Sequence, residues 1–277
     1  MDTVSQAIRA AATRLAATSD TARLDAEVLM AHALGASRSD LLLRHMGDPA
    51  PATFADLIAR RAAHEPVAYI TGRQEFFGLP FHVTRDVLIP RGDSEVLVER
   101  ALAARPQARQ VLDCGTGSGA LLLAVLAHLP EAQGLGIDRS AAALTIASGN
   151  AAALGLASRA RMIAADWTRP DWQAGLGSFD LILANPPYVE AQAELAPSVA
   201  RYEPAGALFA GADGLDDYRV LIPQLPALLA PDGVALVEIG ATQGPAVSAI
   251  ARASGFRTTI HPDLAGRDRV VEISASK

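Results

Sequence analysis

VLDCGTGSGALLLAVL, residues 111–126, decides the fold. Val111 and Leu112 continue an apolar run that ends at Asp113; Gly115, Gly117 and Gly119 follow, and then the apolar spacing of a helix. Glycines at such a place permit positive φ and let a ligand approach the backbone, while the helix start offers N–H groups. The stretch therefore reads as strand, glycine loop and helix, the unit from which α/β sheets with a ligand at their carboxyl edge are built.

Outward from it, short apolar runs at 134–138, 160–164, 179–184 and 234–239 read as further strands, with a final pair near 257–260 and 269–273. Helical spacing lies between most of them, near 119–128, 141–154, 215–229 and 245–254. Alternation of this kind implies a mainly parallel sheet covered on both faces. Pro223 and Pro226 are expected to kink or split the helix at 215–229.

Upstream the period differs. From Thr3 to about His64 apolar residues recur at helical spacing, with breaks at Gly35 and at 47–51, which predicts four or five short helices. Residues 74–84, QEFFGLPFHVT, alternate around a Gly-Leu-Pro turn like a hairpin. The expected domains are a helical module at 1–72, a hairpin connector at 73–86 and a sheet domain at 87–277.

Of the 277 residues, 50% are hydrophobic and 19% charged, an ordinary globular composition. The formal net charge of -6 argues against a chain that holds duplex DNA by phosphate neutralisation. A single cysteine, Cys114, excludes an internal disulfide and a cysteine-rich zinc site, and points to a reducing, cytoplasmic setting. Arg9 and Arg14 interrupt the N-terminal apolar pattern, so no signal peptide is expected, and no uncharged apolar run approaches the roughly 18 residues of a membrane span. The six histidines are scattered without ligand spacing, so no metal is expected.

The glycine loop alone leaves the ligand open. Gly115, Gly117 and Ala120 also satisfy the dinucleotide pattern G-x-G-x-x-G/A. Asp113 shifts the balance toward S-adenosylmethionine: a carboxylate can meet the cationic amino end of a methionine moiety, whereas it repels a pyrophosphate. Asp138, at the end of the next strand, can accept from both ribose hydroxyls of either cofactor. A third strand end carries Asp166 and Trp167, where the aspartate can accept from an adenine amine and the indole can cover the ring.

Asn185-Pro186-Pro187-Tyr188 ends the fourth strand. Neither proline has an N–H, so the loop presents acceptors, the Asn185 side-chain oxygen and the Pro186 carbonyl. Two adjacent acceptors match the two hydrogens of a planar –NH2 group, and Tyr188 can stack on the planar system that carries it. Such acceptors stabilise the positive charge that grows on nitrogen as it attacks a sulfonium methyl.

At this point the sequence resembles the class I methyltransferases of planar nitrogens, and more closely the bacterial release factor glutamine methyltransferases. The likeness runs over nearly the whole chain: LDAEVLMAHALG from Leu24, PVAYITGRQEFFGLPFHV from Pro66, VLIPRGDSEVLVE from Val87, YEPAGALFAGADGLDDYR from Tyr202, LVEIGATQG from Leu236 and DLAGRDRVV from Asp263, besides DCGTGSGA and NPPYV. The glycine and NPPY motifs are common to many methyltransferases; the flanking blocks are more specific. The resemblance implies a Rossmann-like seven-stranded class I methyltransferase sheet with a small N-terminal helical bundle. It implies methylation, with S-adenosylmethionine, of the glutamine in the Gly-Gly-Gln loop of class 1 release factors, which the helical module helps to hold. By the same resemblance Gly115, Thr116, Gly117, Ser118, Gly119, Asp138, Trp167 and Asn185 contact the cofactor, and 185–188 the glutamine. This chain departs from the family where it has Gly92 for a proline, Ser94 for a threonine, and Ala205 and Gly206 near a usual arginine.

The same amino-group seat fits an exocyclic amine of adenine or guanine in nucleic acid. The acidic charge and the absence of a separate basic recognition domain weigh against that target, so no direct nucleic-acid binding is expected. A non-enzymatic docking module has no use for paired acceptors. Expected, then, is a monomeric cytoplasmic enzyme with a protein substrate and no membrane partner. Arg91 and Asp93 are read either as a cover over the cofactor or as an ion pair with a helix cap, Glu75, Phe76 and Phe77 as hairpin packing, Cys114 as a buried small residue, and Glu238 as an edge of the site or a cap for the Gly240 turn.

Overall fold

The computed structural model describes residues 2–275. The chain divides into two compact units, one of residues 1–73 with 195–203 and one of residues 74–194 with 204–277.

The first unit is helical. α1 (Val4–Leu15) opens with a capping box in which Thr3 and Gln6 satisfy each other's backbone, and buries Val4, Ile8, Ala11 and Leu15 on one stripe. α2 (Ala22–Leu34) ends at Gly35 in the left-handed conformation, φ 65°. The short α3 (Arg38–Asp40) runs on into a π turn, Leu41–His45. α4 (Phe54–Ala62) and α5 (Val67–Thr71) complete the succession. Ile8, Leu15, Leu29, Met30, Leu41, Phe54 and Ile58 share one core. Two acids of α2 are buried with it and both are paired: Arg61 reaches Asp25 at 2.7 Å, and Arg23 and Arg38 reach Glu27 at 2.6 and 2.7 Å.

The second unit starts with a hairpin, β1 (Arg73–Phe76) and β2 (Leu79–His82). Its turn is Phe77-Gly78, both at positive φ (52° and 75°), so the expected Gly-Leu-Pro turn lies one step earlier and Leu79-Pro80 already belong to the strand. The Glu75 carboxylate accepts from the Gly78 amide at 2.6 Å, and Phe76 packs on Phe81. Then come α6 (Glu95–Ala104), β3 (Gln110–Cys114), α7 (Ala120–His128), β4 (Gln133–Asp138), α8 (Ala141–Ala153), β5 (Ala160–Ala164) and β6 (Phe179–Ala184). α9 (Pro197–Tyr202) lies in the segment that belongs to the first unit, where the Tyr202 hydroxyl donates to the Ala63 carbonyl at 2.9 Å. α10 (Asp216–Leu221), β7 (Leu229–Glu238), α11 (Gly244–Ala253), β8 (Phe256–Pro262) and β9 (Asp268–Ala275) finish the chain. The helix expected at 215–229 stops at Leu221 and continues as a 3-10 turn containing Pro223 and Pro226, whose missing N–H groups cannot sustain the α ladder.

Seven strands form one sheet in the order β5-β4-β3-β6-β7-β9-β8. All neighbours pair in parallel except those of β9, which runs against both β7 and β8. The period of two sends alternate residues to opposite layers: Leu181 and Leu183 join the core that holds α6 and α7, while Ile182 and Ala184 join the core that holds α10 and α11. From Ala120 to Leu126 every residue of α7 is buried, as expected of a helix apolar all round. Among the described residues no helix is long and apolar enough to cross a membrane.

Asn150, on α8 and buried, ties the hairpin to the glycine loop: it accepts from the His82 amide (2.8 Å) and donates to the carbonyls of His82 (3.0 Å) and Ser118 (2.9 Å). Asn150→Ala leaves these groups unpaired and is expected to cost roughly 2–3 kcal/mol. Urea denaturation reads this as a lower midpoint at unchanged slope; an unshifted midpoint would deny the link its role.

Candidate active site

In an open parallel sheet a ligand binds outside the carboxyl ends of the strands where the strand order reverses. Here the reversal falls between β3 and β6, and a cleft of about 1120 Å³, open mouth included, lies at that edge. The loop after β3 contributes Gly115, Thr116, Gly117 and Ser118 to its wall, the end of β4 gives Asp138, the end of β5 gives Asp166 and Trp167, and the end of β6 gives Asn185 and Pro187. Asp113, Gly119, Pro186 and Tyr188 are not wall residues.

Gly115 and Gly119 need their glycine, at φ 77° and 82°. A Cβ on Gly115 would press on the six-membered ring of Trp167 at 3.0 Å, and one on Gly119 would meet Leu123 at 3.0 Å and Ala147 at 3.3 Å. Gly119 thus serves the close packing of α7 on α8 at the α7 start. The loop amides are engaged within the protein. Gly115 and Thr116 both donate to the Ile137 carbonyl at 2.9 Å, and Gly117 donates to Asp138 at 3.0 Å. These three amides, which a pyrophosphate would use, already have partners, and two carboxyl groups stand close by.

Asp113 is 1% exposed. It accepts from the Thr116 hydroxyl at 2.7 Å, and its other carboxyl oxygen is buried with no partner. Burial pushes its pKa up to about 7; the Thr116 hydroxyl opposes the shift and the charge of Asp138 adds to it. Asp138 accepts from the amides of Gly117 and Ser140 with its two oxygens. Asp166 accepts from the Thr168 hydroxyl and amide, and the hydroxyl above all holds its pKa below the usual carboxylate range. Trp167 is fixed at both ends: its indole N–H donates to Asp217 at 2.9 Å, and its carbonyl accepts from Gln224 at 3.1 Å.

The Asn185–Tyr188 loop is held by its surroundings. Pro186 and Pro187 are buried, the Tyr188 carbonyl accepts from Gln243 at 3.1 Å, and Val189 pairs with the strand-like run at Phe209. The Tyr188 hydroxyl stands 3.5 Å from Glu238, the last residue of β7. Burial pushes the Tyr188 pKa up to about 12.

Three features are not apparent from the sequence. Arg139 lines the cleft and donates to the Gly206 carbonyl at 2.7 Å; a Cβ on residue 206 would sit 2.7 Å from that guanidinium, so a larger residue there would displace the end of the Arg139 side chain. Arg269 of β9 is buried and reaches Asp93 at 3.1 Å and Asp263 at 3.4 Å, so Asp93 is an ion-pair partner, while Arg91 lines the cleft. Gln243 bridges the Tyr188 and Gly214 carbonyls and the Gly240 amide, so Gln243 and not Glu238 caps the Gly240 turn, the second of the two readings of Glu238. Cys114 is buried and its thiol pKa is pushed up by that burial. Among the described residues no group of His, Cys, Asp or Glu is arranged to hold a metal ion.

Sheet order, reversed last strand and cleft together define the class I methyltransferase fold. Among solved structures the chain is similar to a ribosomal protein L11 methylase from Lactobacillus delbrueckii subsp. bulgaricus (23% identity, TM-score 0.50, 70% of this chain and 84% of that chain covered). It is also similar to an O-methyltransferase family protein from Burkholderia thailandensis (17%, TM-score 0.50, 67% and 57% covered), and at these identities the likeness is one of fold alone. Two family descriptions match: PrmC N-terminal domain over residues 6–72 and Methyltransferase small domain over residues 92–202. Release factor glutamine methyltransferases from Cereibacter sphaeroides and Moorella thermoacetica are 48% and 45% identical, each alignment covering 96% of both chains. The chain belongs to the release factor glutamine methyltransferase family. It is an S-adenosylmethionine-dependent methyltransferase.

The Asp113 carboxyl yields a pH test. Folding raises its pKa from 3.8 to about 7, so the folded chain keeps a proton that the unfolded chain releases within that window. Its contribution to stability is fully present below 3.8 and is lost as pH rises through about 7. Asp113→Asn is expected to flatten the fall of stability across the window in denaturant titrations, leaving the part due to Glu238, whose pKa burial also pushes up to about 7. An unchanged slope in the variant would contradict this.

Proposed function

We propose that this enzyme transfers a methyl group from S-adenosylmethionine to the side-chain amide nitrogen of the glutamine in the Gly-Gly-Gln motif of class 1 peptide chain release factors. The observation that carries the reading is the meeting of Asn185 and Pro187 with the glycine loop on one cleft wall. Family membership supplies the substrate class.

The residues present fit the cofactor. The unpartnered Asp113 oxygen is an acceptor in reserve for the ammonium of the methionine moiety. Asp138, on the wall, suits the ribose hydroxyls, and Asp166 and Trp167 suit the adenine amine and ring face. Gly115, Thr116, Gly117 and Ser118 let the chain of the cofactor lie against backbone, Gly119 sets the helix behind them, and Asn185 borders both ligands. When bound, the cofactor supplies an electrophilic methyl group on a sulfonium centre.

The protein's task is orientation and charge. An amide nitrogen is a poor nucleophile because its lone pair is delocalised. The Asn185 side-chain oxygen and the Pro186 carbonyl take its two hydrogens, turn the lone pair toward the methyl, and stabilise the positive charge that develops. Pro186 and Pro187 withhold competing N–H donors, and Tyr188 stacks on the amide plane. As the N–C bond would form, the sulfonium S–C bond would break, and no strong base is required, since the cationic nitrogen is acidic enough to release its proton to water.

Residues 1–72 help to hold the release factor, 73–86 connect, and 87–277 carry the chemistry. The protein works as a cytoplasmic monomer without direct nucleic-acid binding, and no metal enters the reaction. The test is mass spectrometry of a purified class 1 release factor incubated with enzyme and cofactor, beside an adenine-containing oligonucleotide. One added methylene on the Gly-Gly-Gln glutamine is expected; transfer to the oligonucleotide alone would overturn the reading.

A further inference from the structure

Glu238 ends β7 at the same sheet edge as the catalytic loop and is 1% exposed. One of its oxygens faces the Tyr188 hydroxyl at 3.5 Å, and the other is buried with no hydrogen-bond partner. A parallel sheet of apolar strands has no packing use for a carboxyl group here, and burying one without partners is costly. The neighbours are specific. Ser94, in the turn before α6, lies beside the carboxyl but outside hydrogen-bonding geometry; Arg269 attracts it from β9, and Asp93 repels it. Tyr218 of α10 donates to the Glu238 backbone carbonyl at 2.9 Å, which fixes the strand end.

We propose that Glu238 is a positioning residue for methyl transfer, holding Tyr188 by its hydroxyl so that the ring is set from the sheet edge against the plane of the target amide. The inference rests on the reading of residues 185–188 as the seat of that amide. The loop itself fixes only the Tyr188 backbone, through Gln243 and through the pairing of Val189 with Phe209. The ring packs against the apolar layer that holds α10 and α11, and its hydroxyl end meets Glu238. At 3.5 Å the bond is long for O–H···O. Catalytic hydrogen bonds are often long before substrate arrives and tighten in the complex. An amide pressed on the ring drives the hydroxyl toward the carboxylate.

The bond is strongest when Glu238 is ionised. Burial places that ionisation at about pH 7, with Arg269 and Tyr188 pulling it down and Asp93 pushing it up. Turnover is therefore expected to rise with pH through about 7.

The experiment measures kcat, KM for a purified release factor, and cofactor affinity across pH for four full-length enzymes: wild type, Glu238→Gln, Tyr188→Phe and the double variant. Glu238→Gln is expected to lose roughly five- to tenfold in kcat, the worth of one oriented hydrogen bond. Its KM and cofactor affinity stay unchanged, and the rise of kcat near pH 7, measured at saturating cofactor, disappears. Tyr188→Phe loses the same rise, and adding Glu238→Gln to it has no further effect on kcat. Losses that multiply in the double variant, or a Tyr188→Phe enzyme that keeps the rise, overturn the proposal. Should Glu238→Gln fail to fold, the Tyr188→Phe profile alone decides. A wild type that leaves the release factor unmethylated rejects the substrate reading instead, and that result is separate from any difference among the variants.

Discussion

The parallel pairing of β3 with β6 is the constraint from which the rest follows. It places Cys114 beside Ala184 in register, so that the residues just beyond them, Gly115 and Asn185, emerge at one edge. The chain reaches β6 only after β4 and β5 have been laid on the other side of β3, and this reversal opens the crevice. The glycine loop and the Asn185–Tyr188 loop are therefore joined through two buried strands. A slip of one residue would turn the whole apolar face of β6 the wrong way.

Around that edge the protein keeps acids where apolar residues would pack more cheaply. Asp113 and Glu238 are both buried at strand ends, each with one oxygen unpartnered, and in both burial pushes the pKa up to about 7. Such groups cost stability once ionised, and carboxyl groups shifted in this way cluster at functional sites. The amides of the glycine loop are meanwhile bonded to Ile137 and Asp138, so the donors that a dinucleotide site offers to a pyrophosphate are occupied here.

Legibility in the sequence followed the range of the interactions involved. The glycine loop, the acid at the end of β4 and the Asn185–Tyr188 loop are local motifs, and strand and helix periods placed them without help. α6 lies outside the helices read from the sequence, although Leu97, Val98 and Ala101 stand at helical spacing. Nothing in the composition of residues 195–203 signals that they pack with the first unit, since this is decided by tertiary contacts. The Arg139 bond to Gly206 and the placing of Arg269 beside Glu238 join residues far apart in the chain, and only the strand order brings them together. Glu238 was visible as a strand-end carboxyl, but its relation to Tyr188 needed the neighbouring ends of β6 and β7.

The central claim is that paired acceptors in the Asn185–Tyr188 loop make an amide nitrogen reactive. Single-turnover methylation of a release factor by Asn185→Ala, with release factor and cofactor affinities measured on the same protein, tests it most directly. The account predicts a loss of transfer of roughly 100-fold or more, as for removal of one preorganised polar group from a transition state, with release factor docking largely intact. Transfer at close to the wild-type rate would contradict it.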